Sequence, residues 1–572
     1  MSDLIITLGR VTATENRRPA AGVLRAREVA LDAASLTRCR RRIHLDNDPT
    51  ASVAVQALPD PTGEQRMADA ALHRARIGEQ LAVVAGSAWV AVPGGTEGER
   101  VQATAAAVDG GAELIWGATL PRGGGRRGGA ELLVRLPEGG YVPVIVVRHR
   151  ISDPGEGALT SALTEPWPRH AAVDPARRVR SQPRDLLRLA HLHRMLADAG
   201  WAPPEQPGAT YGGVIGMDAD VVVWHDLAGG LWPSAESTLA EYAARFADRS
   251  AVAAAAAAGT AALAEPSRVT ECRRCPWWPR CEAELAAAED VSLVVRGETA
   301  VALRAVGVST IGALAALDPA LPAPVPVPLF ADMISLARAW QRGLAVVRRV
   351  PGVAVRRADV EVDVDMESFG ESGAYMWGTL LSHPGGARPG DDPAGYRAFV
   401  TWDPLPTLDE ARSFAEFWGW FSGVRAGAAA SGRSFAAYCY NEQAENRWLL
   451  ESARRFAGRP GIPSVAEIEE FIADPCWVDL YAVVDQWFLC SQGKGLKRIA
   501  PSAGFGWHDP EAGGENSMRW YRAAVGIDGD EPDPTQRERL LTYNADDVAA
   551  THAVRNWMTS PAIEEVPLAA EL

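Results

Sequence analysis

Residues 360–367 read Val-Glu-Val-Asp-Val-Asp-Met-Glu, and this stretch decides how the C-terminal part of the chain folds. Its alternation of apolar and acidic residues is typical of a β-strand with one acidic face, so the carboxylates of Asp363, Asp365 and Glu367 project to the same side. Like charges at this spacing repel one another unless a cation lies between them. Mg²⁺ and Mn²⁺ prefer carboxylate oxygens, and two such ions can bind both the attacking and the leaving oxygen of a phosphodiester. The stretch therefore predicts a catalytic metal site; the alternative is an exposed acidic strand at the edge of a sheet.

A second acidic motif lies near the C-terminus. Residues 540–554 carry apolar side chains at helical spacing, which predicts a helix. Tyr543 and Asp547 are four residues apart and therefore share one face of that helix. The helix thus presents a phenol and a carboxylate together.

The two motifs together resemble those of the DEDD exonucleases, in particular the branch with tyrosine in the final motif (DEDDy). In that family four acidic residues bind two metal ions, Mg²⁺ or Mn²⁺, and the tyrosine positions or activates the water that attacks the 3′ end of a strand. The resemblance implies that Asp365, Glu367 and Asp547 are metal ligands. It also implies that Tyr543 orients the attacking water.

The second motif of that family is less regular in this chain. It normally contains an aspartate followed four residues later by leucine, at the start of a helix. Here the spacing before Leu449 selects Glu445, and Glu442 is the alternative. Glutamate departs from the family pattern, although its longer side chain can still bind metal. Asp479 matches a further aspartate of the family, which either supports a ligand or caps a helix.

Segments 504–509 and 513–521 resemble the RNase H-like domains that one bacterial family of predicted nucleases carries fused to RecB-type nuclease domains. This resemblance extends over almost the whole chain. The net charge of −15 argues against a nucleic-acid partner, but local basic patches matter more than the total. Lys494, Lys497 and Arg498 form a basic cluster in the acidic C-terminal half. The sequence predicts that this cluster binds a nucleic-acid backbone.

Three cysteines lie within ten residues, in the pattern Cys272-x2-Cys275-x5-Cys281. This density of thiols indicates a metal centre before it indicates disulfides. RecB-like domains of the iron–sulfur type place one cysteine near the start and three after the nuclease core, and the arrangement of Cys39 with the three later cysteines is similar. The resemblance implies that the four thiolates bind a [4Fe–4S] cluster. Zinc held by the same ligands is the alternative.

The nuclease site of the RecB-like part is incomplete in this sequence. Domains of that type cut with one carboxylate and, on the next strand, an acid-x-lysine pair. Glu131 matches the first acid, but Ile145 and Val147 stand where the acid and the lysine belong. No lysine precedes Lys494, and Arg148 is one residue out of register, which on a strand points it to the opposite face. We therefore expect this domain to bind DNA rather than cut it.

These observations predict an α/β protein of three parts. Residues 1–289 form a RecB-like, restriction-endonuclease-type (PD-(D/E)XK) α/β domain with an iron–sulfur cluster and a degenerate nuclease site. Residues 290–350 form a small helical connector, in which 303–314 resembles a helix-hairpin-helix turn, and residues 351–572 form an RNase H-like DEDDy exonuclease domain. The chain shows neither a signal-peptide pattern nor a long apolar run, so we expect a cytoplasmic location and no membrane partner.

The expected function is that of a metal-dependent 3′→5′ exonuclease acting on single-stranded DNA, in DNA repair or end processing. Two alternatives remain open. The first is a 3′→5′ exoribonuclease, because a single sequence does not show the contacts to the 2′-hydroxyl that distinguish RNA from DNA. The second is a DNA-binding scaffold protein in which both nuclease sites have decayed. The sequence identifies no protein partner.

Overall fold

The computed structural model describes residues 29–52, 61–204, 209–229, 232 and 235–572. These residues form two compact units. Unit 1 contains residues 29–52 and Arg74–Glu265. Unit 2 contains residues 61–73 and Pro266–Leu572.

Unit 1 is built around one mixed sheet. Its strand order is β1-β2-β3-β4-β9-β10-β6-β7, and the neighbours β1/β2 and β4/β9 are parallel while the others are antiparallel. A second sheet pairs β5 with β8. The elements with residues in this unit are α1 (Arg40–Asn47), α2 (Pro61–Ala85), β1 (Trp89–Ala91), α3 (Glu97–Asp109), β2 (Leu114–Gly123), β3 (Arg126–Arg135), β4 (Tyr141–Val146), β5 (Ser152–Pro154), β6 (Ala158–Ala162), β7 (Ala172–Asp174), β8 (Arg177–Val179), α4 (Pro183–Asp198), β9 (Tyr211–Ile215), β10 (Val221–Asp226) and α5 (Thr238–Ala257).

Strand β4 is buried along its whole length, because it lies inside the sheet and is covered on both faces. Ile145 packs in one core cluster with Leu189 and Leu192 of α4, while Val144 belongs to a separate cluster that includes Ile77 of α2. A strand covered on both faces reads as a continuous apolar run, and β4 follows this rule.

Residues 61–73 of unit 2 belong to α2; from Pro266 onward the unit contains short helices and then a second α/β assembly. Its five-stranded sheet has the order β14-β13-β12-β15-β16, and β11 pairs with β17 in a separate sheet. The elements are α6 (Trp278–Ala287), α7 (Glu298–Ala305), α8 (Ile311–Ala315), α9 (Phe330–Gln341), β11 (Val346–Arg348), β12 (Val360–Ser368), β13 (Ala374–Ser382), β14 (Gly395–Val400), α10 (Asp409–Ala430), β15 (Phe435–Cys439), α11 (Gln443–Arg455), α12 (Val465–Ala473), β16 (Trp477–Asp479), α13 (Leu480–Trp487), β17 (Phe488–Cys490), α14 (Leu496–Ile499), α15 (Gly514–Val525) and α16 (Pro534–Met558).

The short helices α6 to α9 share a hydrophobic core of their own. Leu285, Leu303, Leu314 and Ile334 are all at most 2% exposed and belong to one cluster. Thr310 caps α8 by accepting a hydrogen bond from the amide of Ala313 at 3.0 Å. Thr310 thus caps the second helix of this turn, and the resemblance of residues 303–314 to a helix-hairpin-helix turn stays a prediction.

Strand β12 lies at the centre of the five-stranded sheet. It pairs antiparallel with β13 and parallel with β15, so its acidic residues are not on an edge. The alternative of an exposed acidic edge strand is therefore excluded. The face with Val362 and Val364 packs against aromatic residues of α10, among them Phe417, while the acidic face meets α16. An acidic face in the middle of a sheet needs compensating partners, because burial without them is costly.

Among the described residues, no helix has both the length and the apolar character that crossing a membrane requires.

Candidate metal centre

Three carboxylates from two elements meet on the acidic face of β12. Asp365 and Glu367 lie two residues apart on β12, and Asp547 lies on α16, which packs across that face. One oxygen of each carboxylate lies within 4.8 Å of the corresponding oxygens of the other two. This is the spacing of a group that could share a metal ion, since carboxylate oxygens bind hard divalent cations at roughly 2.0–2.6 Å.

The carboxylates of this group are destabilised in their charged forms. Removal of its carboxyl from water raises the pKa of Asp365 well above its usual range, and the neighbouring charges of Asp547 and Glu367 raise it further. Burial likewise raises the pKa of Glu367 to about 8 and raises that of Asp547. The raised pKa values favour the protonated forms of these side chains, whereas a bound cation would favour the ionised forms. The donor set of acidic oxygens fits Mg²⁺ or Mn²⁺.

Asp363 does not join this group, although it lies on the same face of the strand. Its two oxygens accept hydrogen bonds from Arg555 at 3.1 and 2.7 Å, and His552 Nδ1 lies 3.0 Å from Oδ2. Two residues along a strand separate side chains by about 6.6 Å, so Asp363 meets a later turn of α16 than Asp365 does. Its partner is a buried guanidinium, and Asp363 has a structural role.

Glu445 lies at the start of α11 and is 4% exposed. Its Oε2 has no hydrogen-bond partner, and burial raises its pKa to about 8. Glu445 is outside the group of three within 4.8 Å, but its charge raises the pKa of Asp365. Glu442 is half-buried at the position that precedes α11. A buried carboxylate oxygen without a hydrogen-bond partner is suited to binding a cation, and the choice of Glu445 over Glu442 as the ligand stays a prediction.

Asp479 fixes the turn that leads into α11. One oxygen, Oδ1, accepts hydrogen bonds from the amides of Asn441 and of Tyr481, each at 2.8 Å. The second of these contacts caps α13. Asn441 has a φ of +74°, a conformation that asparagine tolerates better than most residues. Asp479 therefore positions the helix that carries Glu445.

Tyr543 and Lys497 meet beside the three carboxylates. Lys497 Nζ lies 3.3 Å from the hydroxyl of Tyr543, 4.6 Å from the centre of its ring and 5.4 Å from the centre of the Trp507 ring. Burial raises the pKa of Tyr543 above its usual range, so the hydroxyl keeps its proton. The other two members of the predicted basic cluster lie apart from this contact: Lys494 is ion-paired with Asp485, and Arg498 is exposed.

Three residues that the motifs did not single out donate hydrogen bonds of 3.2 Å or shorter to the three carboxylates. Asn544 donates to Asp365 Oδ2 at 2.9 Å, Trp507 Nε1 to Asp547 Oδ1 at 2.6 Å, and Ser517 Oγ to Glu367 Oε2 at 3.2 Å. All three donors are uncharged, so they orient the carboxylates without supplying the missing positive charge. Trp507 and Ser517 lie in the segments that carry the RNase H resemblance, but no spacing rule assigns them a role.

The cysteines lie on short elements of both units. Cys39 immediately precedes α1 in unit 1. In unit 2, Cys272 belongs to the 3₁₀ turn Thr270–Arg274, Cys275 follows it and is 8% exposed, and Cys281 lies in α6. The backbone amide of Val269 donates to Cys272 Sγ at 3.4 Å. Their assignment to a cluster stays a prediction.

In unit 1, an arginine binds Glu131, the carboxylate that the RecB resemblance predicts as the first nuclease acid. Arg188 Nη2 lies 2.8 and 2.9 Å from the two oxygens of Glu131, and the amide of Val146 lies 3.3 Å from Oε2. Ile145 is fully buried in the core, and Val147 packs against the same cluster. In the described part of this unit, no three carboxylate, imidazole or thiolate atoms form a group like that of Asp365.

Comparison with known families identifies one segment of unit 2. Residues 464–559 match the family model RNase_H_2 of the RNase_H superfamily. The match includes Lys497, Tyr543 and Asp547, whereas Asp365 and Glu367 precede it. No curated protein and no solved structure matches the chain. The C-terminal part therefore contains an RNase H-like domain, which indicates a nuclease-type activity on nucleic acid with divalent metal ions.

Proposed function

We propose that the C-terminal part of this protein is a metal-dependent 3′→5′ exonuclease that shortens single-stranded DNA, in DNA repair or end processing. The observation that carries the proposal is the group formed by Asp365, Glu367 and Asp547, partly within a segment that matches an RNase H superfamily model. The 3′→5′ direction and the preference for DNA come from the DEDDy and RecB-type resemblances of the sequence.

In this proposal the metal ligands are Asp365, Glu367, Asp547 and Glu445, which together hold two Mg²⁺ or Mn²⁺ ions. When bound, such ions supply Lewis-acid activation of water and neutralise charge at the phosphate. The unpartnered Oε2 of Glu445 and the raised pKa values of the other three acids favour this assignment, because a cation relieves both. A bound cation would thus offset the repulsion between these neighbouring acids.

Tyr543 orients the attacking water in this scheme. Its protonated hydroxyl can both donate and accept a hydrogen bond. The ammonium group of Lys497, 3.3 Å away, fixes the position of this hydroxyl. Attack of the water oxygen on the last phosphodiester forms a new P–O bond and breaks the bond between phosphorus and the 3′ oxygen of the preceding nucleotide. That oxygen takes up a proton, and a nucleoside 5′-monophosphate is released. The shortened strand again ends in a 3′-hydroxyl.

Unit 1 has the proposed role of a nucleic-acid-binding platform rather than a second nuclease. The guanidinium of Arg188 contacts Glu131, the carboxylate that a metal ion would bind in an active site of this type, and so occupies the place of the metal ion. Four arginines line a cavity of about 540 Å³ that Glu131 also lines: Arg74, Arg100, Arg122 and Arg127. Arginines suit phosphate groups, because the guanidinium offers several donors in a fixed plane.

A binding measurement tests this platform. We expect the variant Arg74→Glu/Arg100→Glu to bind fluorescently labelled single-stranded DNA at least tenfold more weakly, measured by anisotropy in Ca²⁺ at 0.1 M salt. The control is Arg180→Glu, because Arg180 does not line the cavity. Equal affinity of both variants and the wild type contradicts the platform role.

The proposal also includes a [4Fe–4S] cluster bound by Cys39, Cys272, Cys275 and Cys281, and it rests on their spacing in the sequence. Iron and acid-labile sulfide at four atoms each per chain, together with visible absorbance, are the expected results for anaerobically purified protein. One zinc per chain and no sulfide would favour the zinc alternative.

The activity itself is tested with DNA and RNA oligonucleotides of equal length, labelled at the 5′ end and incubated with Mg²⁺ or Mn²⁺. Stepwise shortening of the DNA gives a ladder of labelled products, as a 3′→5′ exonuclease requires. A labelled mononucleotide as the first product indicates the opposite direction. Shortening of the RNA alone favours an exoribonuclease, and no shortening with either metal favours a non-catalytic scaffold.

A further inference from the structure

Asn544 follows Tyr543 on α16 and is fully buried. Its Nδ2 lies 2.9 Å from Asp365 Oδ2 and 3.4 Å from the backbone carbonyl oxygen of Asp365. A carboxylate and a carbonyl only accept hydrogen bonds, so the amide must turn its NH₂ group toward Asp365. One side chain thus contacts both the backbone and the carboxylate of a single residue in the metal centre.

The other end of the same amide is also held. Tyr396 on β14 donates its hydroxyl hydrogen to Asn544 Oδ1 at 2.8 Å. The two contacts form a chain from Tyr396 through Asn544 to Asp365, which crosses from an edge strand of the sheet to its central strand. Hydrogen bonds at both ends fix the orientation of the Asn544 amide. Its contact with Oδ2 in turn fixes the orientation of the Asp365 carboxylate.

The sheet leaves room for this amide at one glycine. Gly378 on β13 is the residue directly opposite Asp365 in the strand register. A Cβ atom at Gly378 would lie 1.7 Å from Asn544 Oδ1, 2.6 Å from its Cγ and 3.0 Å from its Nδ2. The backbone of Gly378 is not in the left-handed region, so space rather than conformation excludes a side chain here. Any side chain at position 378 would displace the Asn544 amide, so the observed position of Asn544 requires glycine there.

We propose that Asn544 is a positioning residue that fixes the carboxylate of Asp365, so that the Oδ1 oxygen is presented to the metal ion. The inference rests on the proposed function in one respect, the assignment of Asp365 as a metal ligand. Partners that orient a ligand in this way commonly change metal affinity or activity by about 10- to 100-fold when they are removed.

The first test is metal binding by Asn544→Ala, measured by calorimetric titration of the full-length protein with Mn²⁺. We expect affinity at least tenfold weaker than that of the wild type, and a lower kcat with little change in KM for the oligonucleotide. The control is Asn556→Ala, about three turns further along α16, where the amide contacts His552 and Arg357 instead. Wild-type Mn²⁺ affinity in Asn544→Ala overturns the inference.

The second test uses the steric relation with Gly378 and does not depend on Asn544→Ala alone. Gly378→Ala should weaken Mn²⁺ binding about as much as Asn544→Ala, because the methyl group displaces the amide. In the double variant the methyl group occupies the space that Asn544 has vacated, so the affinity should equal that of Asn544→Ala. If the two effects instead multiply, the residues act independently and the inference is wrong.

The outcomes separate this inference from the proposed function. A wild-type protein that binds Mn²⁺ but shortens no oligonucleotide contradicts the exonuclease and leaves the role of Asn544 intact. A protein that shortens DNA equally well with and without Asn544, at limiting Mn²⁺, contradicts the role of Asn544 and leaves the exonuclease intact.

Discussion

The ammonium group of Lys497 lies 3.3 Å from the hydroxyl of Tyr543, beside the half-buried Asp365 and the buried Glu367 and Asp547. Lys494 and Lys497 are the two lysines of the chain, out of 57 lysines and arginines in total. A compact ammonium fits between the rings of Tyr543 and Trp507 and still reaches the hydroxyl. A planar guanidinium cannot be exchanged for it without changing these contacts.

Replacing this lysine should therefore impair catalysis. We expect Lys497→Met to lower kcat by about 10- to 100-fold, because Tyr543 loses its contact and the acids lose a positive charge that lowers their pKa values. Lys497→Arg should recover only part of the loss. The matched control is Lys494→Met, since Lys494 is paired with Asp485, and it should change kcat less than threefold. Equal rates for the two methionine variants in a steady-state assay would contradict this role.

The indole of Trp507 should affect metal binding through Asp547. Trp507→Phe keeps an aromatic ring but removes the N–H that donates to Asp547 Oδ1 at 2.6 Å. We expect Mn²⁺ affinity to fall by about tenfold, measured by calorimetric titration. Trp420→Phe is the control, because the Trp420 Nε1 has no hydrogen-bond partner to lose. The same affinity in both variants would show that the indole does not orient Asp547.

The buried arginine of α16 should dominate the stability of the acidic face. Arg555 is fully buried and pairs with Glu361 and Asp363, which are also fully buried. Arg555→Met leaves two buried acids without their main partner, and we expect a loss of about 3–5 kcal/mol in the free energy of unfolding. Arg357→Met, which removes the partly exposed second partner of Glu361, should cost less. Urea unfolding at pH 7 measures both, and equal losses would be inconsistent with this account.

The metal-free protein should become less stable as the pH rises from 7 to 8, because below this range the buried His191, His193 and His225, whose pKa values burial lowers to about 4, have the opposite effect. Burial raises the pKa of Glu367 and of Glu445 to about 8, whereas a glutamate in the unfolded chain titrates near 4.5. Between these values the folded protein holds protons that the unfolded chain has released, so a higher pH favours unfolding. Each such proton contributes a slope of about 1.4 kcal/mol per pH unit.

Chemical unfolding across this pH range in EDTA measures the slope. Glu445→Gln removes one titrating group and should reduce the slope, and saturating Mg²⁺ should reduce it further, because the bound cation favours the ionised acids. A free energy of unfolding that rises between pH 7 and 8 in EDTA would contradict the raised pKa values of Glu367 and Glu445.

The elements that carry the acids could be predicted, because alternation and helical spacing are local properties of the sequence. Strand β12 and helix α16 are present where these patterns indicate them. The partner of Asp363 could not be predicted in the same way. Asp363 and Asp365 are equivalent in the pattern, and only the crossing of α16 over β12 decides that one meets Arg555 and the other meets Asp547.

The residues that orient the acids were not predictable, because they come from separate parts of the chain. Trp507 lies in a loop, Ser517 on α15 and Asn544 on α16, and no periodicity relates them. Ile145 and Val147 predicted an incomplete nuclease site in unit 1, and this stays a prediction. The arginine that binds Glu131 could be located only once α4 was placed against β3.

One comparison of variants tests most directly which site of the protein performs the cleavage. The assay is the shortening of 5′-labelled single-stranded DNA in Mn²⁺ by Asp547→Asn, with two controls of the same chemistry. Asp546→Asn changes the neighbouring acid, which contacts His508, and Glu131→Gln changes the acid of unit 1. We predict that Asp547→Asn lowers the rate by at least 1,000-fold while both controls stay within tenfold of the wild type. Full activity in Asp547→Asn, or loss of activity in Glu131→Gln alone, would contradict the assignment of catalysis to Asp365, Glu367 and Asp547.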